Sequence, residues 1–520
     1  MISKKVSLRI LLAGVVLIMS LPGQLIAKVG YFGHLPMVQA TGTNVSTLGI
    51  RGDGQTDVST KIQQALASHK SLYFPKGTYV IGKSVELPAG TTLTGSVGAV
   101  FLTAASFGDE GMFTATNKTN ITLNKISCQN QIASKPVYAL LLNGACSNIA
   151  IKQVSVQKCG ILHSRPGNAN YQQLAAGQQQ GSSAITVSGC KGTGSAGMMG
   201  IYLEYASNWN ISNTTLSGYH HGVEWWGGDS NPQRDGALNN PRLVQHGRIT
   251  NVSVRNVTEG GIWGSMGEDI TISQCRIANC GDVGIDFEGC FNSRATGNTV
   301  SNCKNGALAT FHYNKAIVFS GNIVSQSNAA YPLARIYNAA QTANNRDITF
   351  TGNTFTAITG VGIINQNGPA QTITFSNNKL SNVVLNLAFN NNQIVQIERN
   401  TFTLTRSAAA YNFIIKAGST NNNGKVTIAH NTINNQLTSN AGVNGIYVTQ
   451  FDYNSTPVNQ ISNNTFTGLS KPYKVEWNGQ NSGVISKTYI NSAQKLSPQA
   501  IEKAGKANSS SEIYINGIKQ

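Results

Sequence analysis

A glycine-led strand pattern recurs between residues 200 and 288, and an asparagine-ended pattern recurs from Asn298 to Asn464. With a turn-rich, charge-poor composition, these repeats predict an all-β solenoid, a parallel β-helix. Charged residues make up 11% of the 520, glycine numbers 54, and Asn and Thr are abundant, which is far from a helical composition. A chain of this length exceeds the usual single-domain size. Repeat folds escape that limit because each repeat packs only on its neighbours.

Residues 1–27 read as an export leader, removed on secretion to the medium or periplasm. Lys4, Lys5 and Arg9 form a basic start, Ile10 to Met19 a short apolar run, and Leu25-Ile26-Ala27 a small-residue cleavage site. No later stretch approaches membrane-span length, so no membrane partner is expected after cleavage. Residues 28–45 are then an N-terminal extension, 46–485 the solenoid, and 486–520 a C-terminal cap or tail. A short helix over Pro498 to Ala507 would close the far end.

The formal charge is +17, of which Lys4, Lys5 and Arg9 supply three. That balance favours a polyanionic partner. The basic residues are scattered, with no arm, finger or stacked-aromatic motif, so nucleic acid is not expected. An acidic polysaccharide suits an exported protein better. Nothing in the chain decides its oligomeric state.

Near the N-terminus stand Leu48-Gly49-Ile50-Arg51-Gly52-Asp53-Gly54-Gln55-Thr56-Asp57, Ile62-Gln63-Gln64-Ala65-Leu66 and Tyr73-Phe74-Pro75-Lys76-Gly77-Thr78-Tyr79. Asp57 is placed to cap a helix over Ser59 to Ser68, and Ile62, Ala65 and Leu66 form its apolar stripe. Such a helix would cover the open end of the core and block edge pairing. Arg51-Gly52-Asp53 reads as a turn. This opening resembles that of the pectate-lyase-like superfamily of right-handed β-helices. The resemblance implies a right-handed coil with a capping helix. It leaves activity open, since the superfamily holds lyases, hydrolases, epimerases and tailspikes.

The glycine-led rungs are Gly200-Ile201-Tyr202-Leu203-Glu204, Gly222-Val223-Glu224-Trp225-Trp226, Gly261-Ile262-Trp263-Gly264-Ser265 and Gly284-Ile285-Asp286-Phe287-Glu288, with Gly306-Ala307-Leu308-Ala309-Thr310 as a degenerate fifth. Alternate side chains of a strand face opposite ways. Ile201, Val223, Ile262, Ile285 and Ala307 then form one inward column, and Leu203, Trp225, Gly264, Phe287 and Ala309 another. The outward columns carry Tyr202, Glu204, Glu224, Trp226, Trp263, Asp286 and Glu288 on a solvent-facing surface.

Glycoside hydrolysis needs two carboxyls flanking the bond, one of them held protonated. Glu224, Asp286 and Glu288 are the expected catalytic acids. Tyr202, Glu204, His221, Trp226, Asp229, Trp263, Asp282 and His312 are expected around the substrate. His220 and His221 read equally well as a turn pair. The long stretches 164–181 and 227–245 read as loops walling a site. The segment Gly222 to Asn231 also resembles a stretch in phage tailspike and capsule-depolymerase β-helices. That likeness implies that Glu224 and Asp229 lie in or beside a polysaccharide cleft.

The expectation is an exported polysaccharide depolymerase acting by hydrolysis, with no metal and no cofactor. Two alternatives stand beside it. A polysaccharide lyase would use the same acids to hold Ca²⁺, although no Lys/Arg pair is evident beside them. A non-catalytic glycan-binding adhesin would tolerate amides at all three acids.

All eight cysteines lie between Cys128 and Cys303, and Cys159, Cys280 and Cys303 share a repeat position. A buried thiol ladder is expected, with a Cys280–Cys303 bridge as the alternative. The asparagines at 298, 322, 353, 378, 400, 431 and 464 are spaced by 24, 31, 25, 22, 31 and 33 residues. They are expected to stack into a hydrogen-bonded ladder. The Asn-x-Ser/Thr triplets at Asn44, Asn117, Asn120, Asn210, Asn256 and Asn463 read mostly as turn chemistry.

Overall fold

The computed structural model describes residues 42–520 apart from 133–134, 196, 338–344, 390–391, 420–423, 441, 452–457, 479–486, 492–499 and 506–511, together with four short strand segments in the first 41 residues. Residues 1–41 form a separate unit. Most of the expected leader lies outside the described residues.

From residue 42 the chain winds as a parallel β-helix of three long sheets. One coil shows the plan. Arg346–Thr351 lies in the first sheet, a turn at Gly352-Asn353 redirects the chain, Thr354–Ala357 lies in the second, and Gly362–Asn367 in the third. The third sheet carries every acid of the glycine-led rungs. A continuous apolar core fills the bore. Part of it is a file of rings from Trp209 through Trp225, Phe287, Phe319 and Phe350 to Phe375, with centroids 4.8–6.3 Å apart.

The helix spans Ser59–Ser68, with Ile62 and Leu66 buried. Its N-cap is Val58, which makes no side-chain cap. Asp57 lies one residue earlier and acts from there. Its Oδ1 accepts from the Ser59 N–H at 2.9 Å, the Ser59 hydroxyl at 2.5 Å and the Gly82 N–H at 3.0 Å. It thereby ties the first turn to the next coil.

The expected asparagine ladder is present in full. From Asn298 to Asn464 each Nδ2 donates to the Oδ1 of the next asparagine at 2.9–3.0 Å, and each backbone N–H donates to that same oxygen at 2.9 Å. A buried amide is stable only when its donors and acceptors are all used, and stacking supplies them. Asn117 and Asn463 take positive φ between strands, and Asn120 and Asn256 take it within the strands Thr119–Asn124 and Ser253–Val257, a conformation that asparagine tolerates. All eight cysteines are buried free thiols.

Four glycine-led rungs stack as expected, with Ile201, Val223, Ile262 and Ile285 in register, and Leu203, Trp225, Gly264 and Phe287 beside them. The fifth is displaced by one residue. Leu308 pairs with Ile285 and Thr310 with Phe287, so Leu308 and Thr310 take the inward places expected for Ala307 and Ala309. The cysteines explain the shift. Cys280 pairs with Cys303, and from there Gly306 falls opposite Val283. Gly284 stands four residues beyond its cysteine but Gly306 only three.

At the far end, Ile501–Gly505 is a strand paired with Tyr473–Asn478, where a short helix was expected. Lys487–Asn491 and Glu512–Ile515 extend the first sheet. The coil therefore continues past residue 485. Among the described residues, no helix is long and apolar enough to cross a membrane.

Candidate active site

The outward face of the third sheet brings together the residues its alternation predicts. Tyr202, Glu224, Trp263 and Asp286 lie directly in register in one column. Glu204, Trp226, Ser265 and Glu288 form the next. With rungs ~4.8 Å apart, Glu224 and Asp286 are separated by ~9.6 Å, and Asp286 and Glu288 by roughly 6.5–7 Å along their strand.

The acids are not the solvated groups expected. Asp286 is 0% exposed and Glu224 5%. Glu288 alone of the three is partly exposed. Bulk explains this. Trp263 and Ala309 flank Asp286 in its own column. Val283, Ala309 and Phe311, with Trp263 and Tyr337 against them, form an apolar cluster separate from the bore. Asp286 sits within this second apolar layer, and the loop that begins at Gly227 reaches Glu288 through Ser230.

Burial controls their ionisation. Removal from water raises Glu224 to about 8, and the nearby Glu204 and Glu288 carboxylates add to the rise. Glu288 rises to about 7. Burial drives it up, hydrogen bonds from Trp263 and Ser230 oppose the rise, and Asp282 and Asp229 add to it. Those bonds run from the Trp263 indole Nε1 to Oε1 at 3.1 Å and from the Ser230 hydroxyl to Oε2 at 3.4 Å. Burial also holds Asp286 far above the carboxylate range, helped by Glu288 and Asp282. Neither Asp286 oxygen has a protein partner. An unpartnered carboxyl in an apolar layer is a neutral acid. The site thus holds two protonated carboxyls and one poised near neutrality.

The surrounding residues fall into place around these three. The His221 ring lies 5.1 Å from Trp263, and its pKa is lowered to about 4, first by burial and then by His220. Trp226 stacks on Trp263 at 6.3 Å. Burial also lowers His312, which Asp229 partly offsets. Asp282 sits in the turn before Val283–Glu288 and is felt by both acids of that strand. Asp229 is spent within its loop. It pairs with Arg234 at 2.6 Å and accepts from the Asn231 N–H. With Tyr171, Gln172 and Asp235 it lines a cleft of about 730 Å³. Glu204 is likewise engaged, bonded to His163 Nε2 at 2.7 Å.

Two residues beyond those read from sequence belong here. His163 pairs with Tyr202 in the same column and stacks on it at 4.7 Å. Arg335 stands two rungs beyond Asp286, across Ala309, and lies over the rings of Tyr337 and Phe311 at 4.8 and 5.6 Å. His163 follows a glycine, Gly160, but by three residues rather than two. Arg335 follows none. Counting from glycine therefore misses both.

The 227–243 loop is anchored by Arg242, a fully buried arginine. It donates to the carbonyls of Gly289, Ala237, Asn240 and Gly236 and stacks 3.7 Å over Phe291. This clamp holds Ser230 within reach of Glu288. Among the described residues, no group of three or more His, Cys, Asp or Glu side chains is arranged to hold a metal ion.

Known proteins share this architecture. A family model described as rhamnogalacturonase A/epimerase, pectate lyase-like, matches residues 42–286, and one for the right-handed beta helix region matches 178–402. The pre-neck appendage protein of Bacillus phage B103 is 22% identical over 297 residues, covering 54% of this chain and 28% of that protein. The phi29 pre-neck appendage protein is 27% identical over 192 residues, covering 33% and 22%. The chain therefore spans about a quarter of the length of these relatives. The crystal structure of the phi29 gene product 12 N-terminal fragment has the same fold, with a TM-score of 0.53 at 13% identity, covering 92% of this chain and 93% of that one. Three parallel sheets and a capped N-terminal end make this chain a right-handed parallel β-helix, similar over residues 42–286 to the pectate lyase-like family.

Proposed function

We propose that the protein is an exported polysaccharide depolymerase that hydrolyses a glycosidic bond of an acidic glycan at the Glu224–Asp286–Glu288 face. One observation carries this reading: Glu288 is a partly exposed carboxyl at about 7, beside two buried acids held neutral. Hydrolysis needs such a division between a proton donor and an ionised partner. Glu288 is the ionised partner, steadied by Trp263 and Ser230. Glu224, the less deeply buried of the two neutral acids, is the proton donor. Asp286, sealed beneath them, shares a low-dielectric site with Glu288, where two adjacent carboxylates cannot both ionise cheaply. Trp226 and Trp263 offer faces for a sugar ring. The Arg335 fork suits an acidic group on the next residue of the glycan.

Export rests on the leader-like start, and the acidic substrate on the basic charge. The relatives' designation as phage appendage proteins supports a second reading, a glycan-binding spike without catalysis.

Incubation with a panel of acidic exopolysaccharides separates these possibilities. New reducing ends without unsaturated-uronate absorbance are expected, and Glu288→Gln and Glu224→Gln should each lower the rate by about 10²–10⁴. Both signals together would mean elimination. Neither signal, with binding retained, would mean the spike.

A further inference from the structure

The outward column of the third sheet runs on beyond Asp286, through Arg335 and two asparagines, to Lys416, Tyr447 and Lys474 on three successive rungs. Five rungs separate Asp286 from Lys416, roughly 24 Å at ~4.8 Å each. There two ammonium groups bracket one ring. Lys416 Nζ is 4.6 Å from the Tyr447 centroid, and Lys474 Nζ is 4.7 Å from it.

The carboxylates nearby are already engaged. Glu502 is shared between Lys471 at 3.0 Å and Lys474 at 3.2 Å, and Glu476 accepts from the Tyr447 hydroxyl. Lys416 has neither an ion pair nor a hydrogen bond among the described residues. It is half-buried, and burial lowers its pKa, with Glu476 partly offsetting the fall and Lys474 adding to it. A half-buried ammonium whose nearby carboxylate makes no direct contact with it, and is already bonded to a hydroxyl, gains from an anion arriving from outside.

We propose that Lys416 and Lys474, set about Tyr447, form a second glycan-binding site that takes the carboxylate or sulfate group of an extended acidic polysaccharide. The nature of the polymer rests on the functional reading above. The site itself rests on the unpaired Lys416 and on its alignment with the acids, which lets one extended chain span both.

The test is affinity electrophoresis of the full chain carrying Glu288→Gln, through gels containing polygalacturonate, hyaluronan, dextran sulfate or neutral dextran. Retardation is expected in at least one acidic gel and not in neutral dextran. Retardation by the carboxylate polymers or by dextran sulfate identifies the group that is bound. Lys416→Gln with Lys474→Gln should weaken it about tenfold or more, and Lys416→Arg with Lys474→Arg should retain it. The proposal is overturned if no acidic polymer retards the protein, if the double Gln variant is retarded as strongly as its parent, or if a single-stranded oligo-dT gel gives equal retardation through the same lysines. Cleavage is scored separately as reducing ends released by the unsubstituted protein. Loss of the hydrolase reading and loss of this site are therefore distinct results.

Discussion

Trp263 lies directly opposite Asp286 on the neighbouring strand, yet its indole N–H donates to Glu288 at 3.1 Å and not to Asp286. One donor thus separates two acids of the same strand. The acid that receives it is held near neutrality, and the one that does not stays protonated.

Trp263→Phe keeps the ring and removes that donor. A charge-assisted bond is worth about 1.5–3 kcal/mol, so the Glu288 pKa should rise by about one to two pH units. The acid limb of the pH–rate profile should move to higher pH by that amount. An unmoved limb would show that the indole does not set this carboxyl.

Stability should depend on pH with an unusual sign. Glu224 has an ordinary value of 4.5 and is raised to about 8 in the folded chain. Between those values the unfolded chain has lost a proton that the native chain keeps, so stability falls as pH rises through this window and levels off above about 8. Asp286 and Glu288 act in the same direction. The thermal midpoint should therefore be higher at pH 5 than at pH 8. Glu224→Gln should narrow that difference by raising the midpoint at pH 8.

The ladder should be costly to interrupt. Asn353→Ala strips the partner from the backbone N–H and side-chain amide of Asn322, and from the Phe319 carbonyl. The loss should be about 2–4 kcal/mol, read as faster amide exchange in the adjoining coils.

Gly264→Ala tests the bore. A methyl there would stand 2.0 Å from the Trp225 indole. Repacking should cost about 1–3 kcal/mol and alter the tryptophan emission. An unchanged melt and spectrum would mean that the indole has room to move.

Much of this architecture was legible in the residues because its cause is periodic. Alternation assigned the faces of four rungs, and recurring asparagines marked the turn where amides stack. Register across irregular turns was less legible. Gly306 looks like its predecessors, but the cysteine pair sets the phase, so Arg335 and His163 escaped a count made from glycines. Burial of Asp286 was not legible either. Alternation tells which way a side chain leaves the strand, but not that Trp263 and Ala309 flank it in an apolar cluster with Phe311.

The asparagine spine also bears on how such a chain diversifies. Its links hold 2.9–3.0 Å although the intervening segments run from 22 to 33 residues. The spine therefore does not sense how much polypeptide is spliced between its links. Excursions can be lengthened, trimmed or exchanged on the outer rim while the backbone spiral stays in step, so one scaffold can be refitted to new tasks without being refolded.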